Sequence, residues 1–252
     1  MRDNRRKELA AYIAHRGEVS MTELCEAFHV SMNTIRADVA SLEKAGTVEK
    51  VYGGVRSAMR QEVTMFTLRA QQHTDAKRII ANTAAAQIRD GDTLFIDAGT
   101  TTMHVLEELP ADIHLTVVTG NIHLLPHAYT HPEVDIVLLP GSFNRRTGSI
   151  SGVSALEFLG RYHFAKAIMA TTGLSADGKL NVSSYMEYEI KRLAMQQSDQ
   201  HILLCDSSKF GATGLIGYAM LSDMDRLITD AGCPDALKNL CERSGTILEI
   251  AK

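Results

Sequence analysis

The sequence predicts two domains, a small N-terminal unit of three helices and a β-hairpin, and a larger C-terminal α/β domain of Rossmann-like type. Three observations carry this prediction. The first sixty residues contain three capped helical segments and then a short hairpin with a Gly-Gly pair. From Asp75 onward, helical patterns alternate with short, fully apolar strands, the mark of a mainly parallel sheet covered on both faces. The length of 252 residues, 45% of them hydrophobic, suffices for a full core and a satellite domain.

Composition narrows the function classes. No apolar run approaches the roughly 18 residues of a membrane span. Behind Met1-Arg-Asp-Asn-Arg-Arg-Lys-Glu8 there is no apolar signal-peptide core, so a cytoplasmic location is expected. The four cysteines (Cys25, Cys205, Cys233 and Cys241) have no Cys-x-x-Cys spacing and read as buried reduced thiols, with no disulfide framework or zinc site. Net charge is -4, but residues 1–60 carry ten Lys and Arg against eight Asp and Glu, leaving sixteen against twenty-two for the remainder. The mildly basic part is the N-terminal one, an asymmetry too small to identify a nucleic-acid binder by itself.

Residues 5–15 fit a first helix, with Leu9 and Ile13 four apart and Gly17 ending it. Ser20-Met-Thr-Glu23 reads as a capping box opening a short second helix with Leu24 and Phe28 on one side. His29-Val30 makes a turn. Ser31 caps a third helix running to about Ala45, where Gly46 stops it. On that helix Ile35, Val39 and Leu42 share a face that must pack on the first two helices. The opposite face carries Asn33, Arg36, Ala37 and Ala40. Small alanines beside two long polar side chains suit a helix that enters the major groove, although the same face could simply be solvated. In Thr47-Val-Glu-Lys-Val-Tyr-Gly-Gly-Val-Arg56, Val48 and Val51 flank charged residues and a Gly-Gly pair, which predicts a hairpin wing. Lys50, Tyr52 and Arg56 could then follow the sugar-phosphate backbone.

The run Val30-Ser-Met-Asn-Thr-Ile-Arg-Ala-Asp-Val39, with Leu42, Gly46 and Tyr52-Gly-Gly54, resembles the winged helix-turn-helix of DeoR-family bacterial transcriptional regulators. Ala37 stands where that family usually has a second arginine. The resemblance implies that residues 1–56 bind double-stranded operator DNA through Arg5, Ser31, Asn33, Thr34, Arg36, Lys50, Tyr52 and Arg56.

Residues 57–74 are polar, with irregular apolar spacing, and read as a linker in which Phe66 and Arg69 resemble a family pair. The α/β domain occupies 75–252. Strands are expected at 93–97, 115–119, 134–139, 167–170, 201–205, 227–229 and 247–250, and helices at 75–89, 101–109, 121–129, 153–161, 185–197 and 234–243. Ligands of open α/β sheets bind at the carboxyl ends of strands. Five such ends are polar and small: Asp97-Ala-Gly-Thr-Thr-Thr102, Thr119-Gly-Asn121, Pro140-Gly-Ser142, Thr171-Thr-Gly173 and Asp206-Ser-Ser-Lys209.

Gly99-Thr-Thr-Thr102, between a strand and a helix, could cradle a phosphate with backbone N–H groups and hydroxyls, or could be a structural cap. Lys209 could supply a neutralising charge or could be merely solvated. Glu187 and Lys191, four apart on a helix, fit a surface ion pair. His123, His127 and His131 are spaced by four, but Pro126 and Pro132 interrupt the helix and no carboxylate partner is evident, so solvated histidines are expected and no metal.

The resemblance adds that DeoR-type heads are followed by a sensor domain similar to ribose-5-phosphate isomerase. Its matching stretches here are residues 97–102, 119–121, 173–178, Glu187 with Lys191, and 206–211. It implies that Gly99, Thr100, Thr101 and Thr102 hold the phosphate of a phosphorylated sugar and that Lys209 faces it. Asp97, Asn121, Asp177 and Glu187 are then candidates for the sugar hydroxyls, with Gly141 and Lys191 at the pocket wall. No cofactor is expected. The function expected is an effector-responsive transcription factor acting as a dimer or tetramer, with repression relieved by ligand. The alternative is a sugar-phosphate isomerase with an accessory domain, in which Asp177 and Glu187 would move a proton.

Overall fold

The computed structural model describes residues 2–16, 18–45, 47–51, 53–57 and 65–252. Gly17, Gly46 and Tyr52, to which the sequence assigned two helix stops and a backbone contact, lie outside the described residues. The chain divides into two compact units, residues 1–64 and 65–252.

The first unit runs α1 (Arg2–Arg16), β1 (Glu18–Ser20), α2 (Met21–Phe28), α3 (Met32–Lys44), β2 (Val48–Val51) and β3 (Gly54–Ser57). Ser20 caps α2, its hydroxyl accepting the Glu23 N–H at 3.1 Å. Glu23 does not complete the box, because its carboxylate takes hydrogen bonds from Tyr12 and Arg16 at 3.3 and 3.0 Å. His29 turns the chain in the left-handed region with φ 51°, and Ser31 caps α3 by accepting the Thr34 N–H. Ile35, Val39 and Leu42 are buried together with Leu9, Ile13 and Leu24, as the 3.6-residue period requires. The wing has a strand that the sequence does not announce: β1 pairs antiparallel with β3, in the order β1-β3-β2. With only Val19 of its three residues buried, β1 is too short to show a period.

One ion cluster locks this unit. Asp38, 2% exposed on α3, accepts from Arg5 at 2.8 Å and from Arg6 at 3.0 Å. Burial pushes its carboxyl upward, but the two arginine hydrogen bonds and charges outweigh this and hold it below the ordinary carboxylate range.

The second unit begins with α4 (Met65–Gln71) and α5 (Thr74–Ala85), followed by β4 (Thr93–Ile96), β5 (Leu115–Thr119) and β6 (Val134–Leu138). A hairpin, β7 (Ser142–Asn144) and β8 (Ser149–Ser151), leads to α6 (Val153–Leu159) and β9 (Phe164–Ala170). Then come β10 (Gly173–Leu174), β11 (Lys179–Val182), α7 (Tyr185–Gln196), β12 (Ser198–Leu204), β13 (Ile216–Met220), β14 (Arg226–Thr229), α8 (Asp235–Ser244) and β15 (Ile247–Ile250). Seven strands form one sheet, β15-β14-β12-β9-β4-β5-β6, with every pair parallel. All seven are the strands read from the sequence. Successive residues face opposite layers: Phe95, Met169 and Leu203 pack toward α6, α7 and α8, and Leu94, Ile168 and Ile202 pack toward α5.

Several details differ from the sequence reading. Residues 102–108 and 122–129 are 3-10 rather than α-helical; the second of these contains Pro126, which cannot donate an α-helical hydrogen bond. A second, antiparallel sheet, β10-β11-β13, covers part of the first, and its strands are too short or glycine-broken to show a period. The segment read as a linker contains α4, anchored by Phe66, which is buried and stacks on His123 with ring centroids 4.3 Å apart. His131 is buried rather than solvated, with Nε2 3.2 Å from the Leu109 carbonyl.

Replacing Asp38 with alanine leaves Arg5 and Arg6 without their carboxylate, so a loss on the order of 1–3 kcal/mol is expected in the N-terminal unit. Hydrogen exchange of full-length protein should show α1 and α3 losing protection while the seven-stranded sheet keeps its own. Because the folded pKa of Asp38 is depressed, this contribution is present at neutral pH and is lost as pH falls below about 4.

Candidate functional site

Strand order reverses between β4 and β9: the chain proceeds from β4 outward through β5 and β6, then returns to build the other half beginning at β9. A crevice opens at the carboxyl ends of these two strands. It is lined by the loops after β4, β9 and β12 together with Arg69 of α4 and Glu187 and Lys191 of α7.

The loop after β4 is built from within. Thr102, fully buried, places its hydroxyl 2.6 Å from the Asp97 carbonyl and 3.0 Å from the Gly99 N–H. Asn121, also fully buried, donates to the Gly99 carbonyl at 3.3 Å and accepts the His123 N–H at 3.1 Å. These two side chains shape the loop, leaving Thr100 and Thr101 to line the crevice. A Cβ on Gly99 would lie 2.5 Å from the Ala170 Cβ, so the close approach of the two loops requires glycine.

Asp97 and Lys191 are each 5% exposed and ion-paired with one another. Asp97 also accepts the Ala170 N–H at 2.9 Å, and Lys191 donates to the Ala170 carbonyl at 2.8 Å. The Tyr218 hydroxyl donates to the same carbonyl at 3.1 Å, and the Lys191 ammonium lies 5.1 Å from the Tyr218 ring centre. Burial, and then the Asp97 charge, push the Tyr218 phenol well above its ordinary pKa. Lys191 therefore pairs with Asp97 and not with Glu187. The Glu187 carboxylate accepts from the Ser183 N–H and hydroxyl at 3.2 and 2.8 Å through one oxygen.

Two predicted residues lie elsewhere. Asp177 is in the turn between β10 and β11, where the Lys179 N–H and Ser175 hold its carboxyl below the ordinary range. It does not line the crevice, so Asp177 and Glu187 do not form a proton-transfer pair there. Gly141, at φ 147°, brings its backbone against β8, where a Cβ would meet the Ser151 carbonyl at 2.5 Å.

The crevice also contains residues that the sequence-derived site leaves out. Arg69 reaches it from α4, and Asp206, 2% exposed, closes it from the loop after β12. Burial lowers the Arg69 pKa against the opposing pull of Glu187, without bringing a guanidinium near neutrality. Lys209 and Arg69 both line the crevice with no ion-pair partner among the described residues. Behind them Lys77, 1% exposed on α5, caps the end of α4 by donating to the carbonyls of Arg69 and of Gln72, the latter at 2.7 Å.

In the N-terminal unit Asn33, Arg36, Ala37 and Ala40 form the exposed face of α3. Ser31 and Thr34 share a hydroxyl contact of 3.0 Å at its start. Arg5 is engaged with Asp38, Lys50 with Glu43 at 2.5 Å and Arg56 with Glu49 at 2.8 Å. Lys50 and Arg56 are about half exposed, so these surface pairs can exchange for phosphate at little cost.

Residues 5–61 match the DeoR-like helix-turn-helix domain and residues 72–231 the DeoR C terminal sensor domain. The chain belongs to the DeoR family. Relatives within this family include the HTH-type transcriptional regulator IolR of Bacillus subtilis (strain 168), 34% identical over 93% of this chain and 94% of that protein. The glycerol-3-phosphate regulon repressor of Escherichia coli (strain K12) is 32% identical over 88% of each chain. Among solved structures, the probable sor operon regulator from Shigella flexneri covers 66% of this chain and 89% of its own at 13% identity, with a TM-score of 0.45. Ribose 5 phosphate isomerase A from Neisseria gonorrhoeae covers 54% of this chain and 53% of its own at 14% identity, with a TM-score of 0.38. As a DeoR-family member the chain is a DNA-binding transcriptional regulator and not an enzyme. No helix among the described residues is long and apolar enough to cross a membrane.

Two measurements check this geometry. Gly99→Ala should cost about 1–3 kcal/mol through overpacking against Ala170, read as a lower melting temperature. Lys77 is pushed down to about 8, first by burial, with Asp206 opposing. Its charged form is thus penalised in the folded state, and the penalty is relieved as pH rises from about 8 toward its ordinary value of 10.5. Thermal melts across that window should show a favourable trend with rising pH for the natural protein relative to Lys77→Met.

Proposed function

We propose that the chain is a repressor of a carbohydrate-utilisation operon, with a phosphorylated sugar bound in the crevice between β4 and β9 releasing it from operator DNA. The observation that carries this reading is the division of polar groups in the crevice. Arg69 and Lys209 offer uncommitted positive charge beside the Thr100 and Thr101 hydroxyls, a setting for a phosphate. Glu187 and Asp206 offer carboxylate oxygens suited to hydroxyl groups. Gly99, Thr102, Asp97, Asn121 and Lys191 hold this arrangement in shape. The names of the relatives, one of them a repressor of a glycerol-3-phosphate regulon, favour a small phosphorylated carbon compound.

In the N-terminal unit, Asn33 and Arg36 read base edges, and Ser31, Thr34, Lys50 and Arg56 contact phosphates. Tyr52 joins the phosphate contacts, and Arg5 assists through its hold on α3. One short recognition helix reads few bases, so the working form is a homodimer or homotetramer on paired half-sites, in the cytoplasm. Arg69 belongs to α4, the first element after residue 64, so a phosphate that draws in Arg69 acts on the part of the sensor nearest in sequence to the DNA-binding unit.

Arg36→Ala should weaken operator binding by about 1–3 kcal/mol while leaving sugar-phosphate binding unchanged. Lys209→Ala should do the reverse, weakening ligand binding about tenfold or more while the unliganded protein still binds operator. Gel-shift titrations and calorimetry on the two variants measure both quantities, and crossed effects would refute the division of labour. A thermal-shift screen of sugar phosphates against their unphosphorylated partners identifies the effector, since a native-state ligand raises the melting temperature.

A further inference from the structure

We infer that the outward face of α7 is the surface through which two copies of this chain pair, the two helices running antiparallel about a twofold axis level with Ile190 and Lys191. This rests on the reading of the protein as a homo-oligomer. The inward side of α7 is already committed: Ile190, Lys191 and Ala194 are buried, and Glu187 and Lys191 belong to the crevice. Tyr185, Glu189, Arg192 and Gln196 follow one another at helical spacing and form a stripe on the opposite side, with Tyr185, Arg192 and Gln196 exposed.

The stripe has the makeup of a contact surface. Tyr185, 61% exposed, stacks on Tyr188 with ring centroids 5.9 Å apart, and the Arg192 guanidinium lies 5.7 Å from the Tyr188 ring centre. Tyrosine and arginine are the residues that protein interfaces gather. Glu189 accepts from the Tyr185 hydroxyl. Neither Glu189 nor Arg192 has an ion-pair partner among the described residues.

The occupant follows from symmetry. A twofold axis between Ile190 and Lys191 exchanges position 189 with 192 and position 185 with 196. Glu189 of each copy then meets Arg192 of the other, and the same acid-base pair is made twice. The same operation lays each Tyr185 over a groove of the other copy, lined by Arg192, Met195 and Gln196 of α7 with Tyr218 and Ala219 of β13. One axis position matches charge to charge and ring to groove. A parallel pairing would instead set Glu189 against Glu189 and Arg192 against Arg192. Glu187 and Lys191 stand on the same helix, so a ligand in the crevice bears on the pairing surface.

Sedimentation velocity of the full-length protein tests this, with the natural chain compared with Glu189→Arg, Arg192→Glu, the double exchange and Tyr185→Ala. The natural protein should sediment as a dimer or tetramer. Each single charge reversal should halve the mass, or weaken pairing by about tenfold or more, while circular dichroism stays natural. An equimolar mixture of the two reversed variants should regain the natural mass, because one chain then carries only positive charge at the two positions and the other only negative. The double exchange should regain it alone. Should a reversal unfold the chain, Tyr185→Ala decides in its place: weaker pairing supports the α7 surface and unchanged mass overturns it. Folded reversals that keep the natural mass, or a mixture that stays dissociated, overturn the α7 surface while the homo-oligomer reading stands. A natural protein that is monomeric at every concentration refutes that reading, and the inference falls with it.

Discussion

Two charges leave water together where β4 and β9 part, and the sensor domain is organised around them. Either Asp97 or Lys191 alone would be costly to bury. Paired, and tied to both backbone groups of Ala170, they join the end of β4, the end of β9 and the middle of α7 in one hydrogen-bonded knot. Tyr218 brings β13 of the second sheet into the same knot. Loop positions follow: Gly99 sits against Ala170 because the two strand ends are drawn together, and Thr102 and Asn121 then set the path from Asp97 onward. The crevice exists because these groups satisfy one another, which leaves Thr100, Thr101, Lys209 and Arg69 for something else.

The DNA-binding unit uses a related device in a smaller setting. Asp38 sits on the buried side of α3 and is held by two arginines of α1, so the orientation of the recognition helix is fixed by charge as well as by Ile35, Val39 and Leu42. This accounts for Arg5 better than direct DNA contact does. In both units a buried carboxylate is compensated by cations from a distant stretch of chain, 33 residues away for Arg5 and 94 for Lys191.

That separation marks the limit of what the sequence discloses. The seven parallel strands were legible because strands buried on both faces are continuous apolar runs, and Ile35, Val39 and Leu42 declared a buried helix face. Of the five polar strand ends, those after β4, β9 and β12 line the crevice, and those after β5 and β6 do not. What could not be read was partnership. Glu187 and Lys191 look like neighbours at helical spacing, yet each binds elsewhere, and Asp97 and Asn121 look like ligand groups yet brace the loop. Asp177, in a matching stretch, marks a turn on another sheet. Arg69 lies in a segment whose single buried anchor, Phe66, gives no period, so neither α4 nor its arginine stood out as part of the site. Asp206 stood in a polar strand end and in the matching stretch 206–211, but that its Oδ2 has no hydrogen-bond partner is a three-dimensional fact.

The strand order has a consequence for how the chain can be assembled as it is synthesised. β5 adds to one side of β4 and β6 adds beyond it; β9 then takes the other side of β4, and β12, β14 and β15 follow outward in turn. No strand has to be inserted between two that are already paired, and the last one made is an edge. A sheet of this order can grow vectorially from its centre as the ribosome delivers it, after the DNA-binding unit has emerged, since domains made first generally fold first. The crevice is complete only when β12 and the loop carrying Asp206 and Lys209 have been added, so a nascent regulator has its DNA-binding unit before its C-terminal domain has a finished crevice.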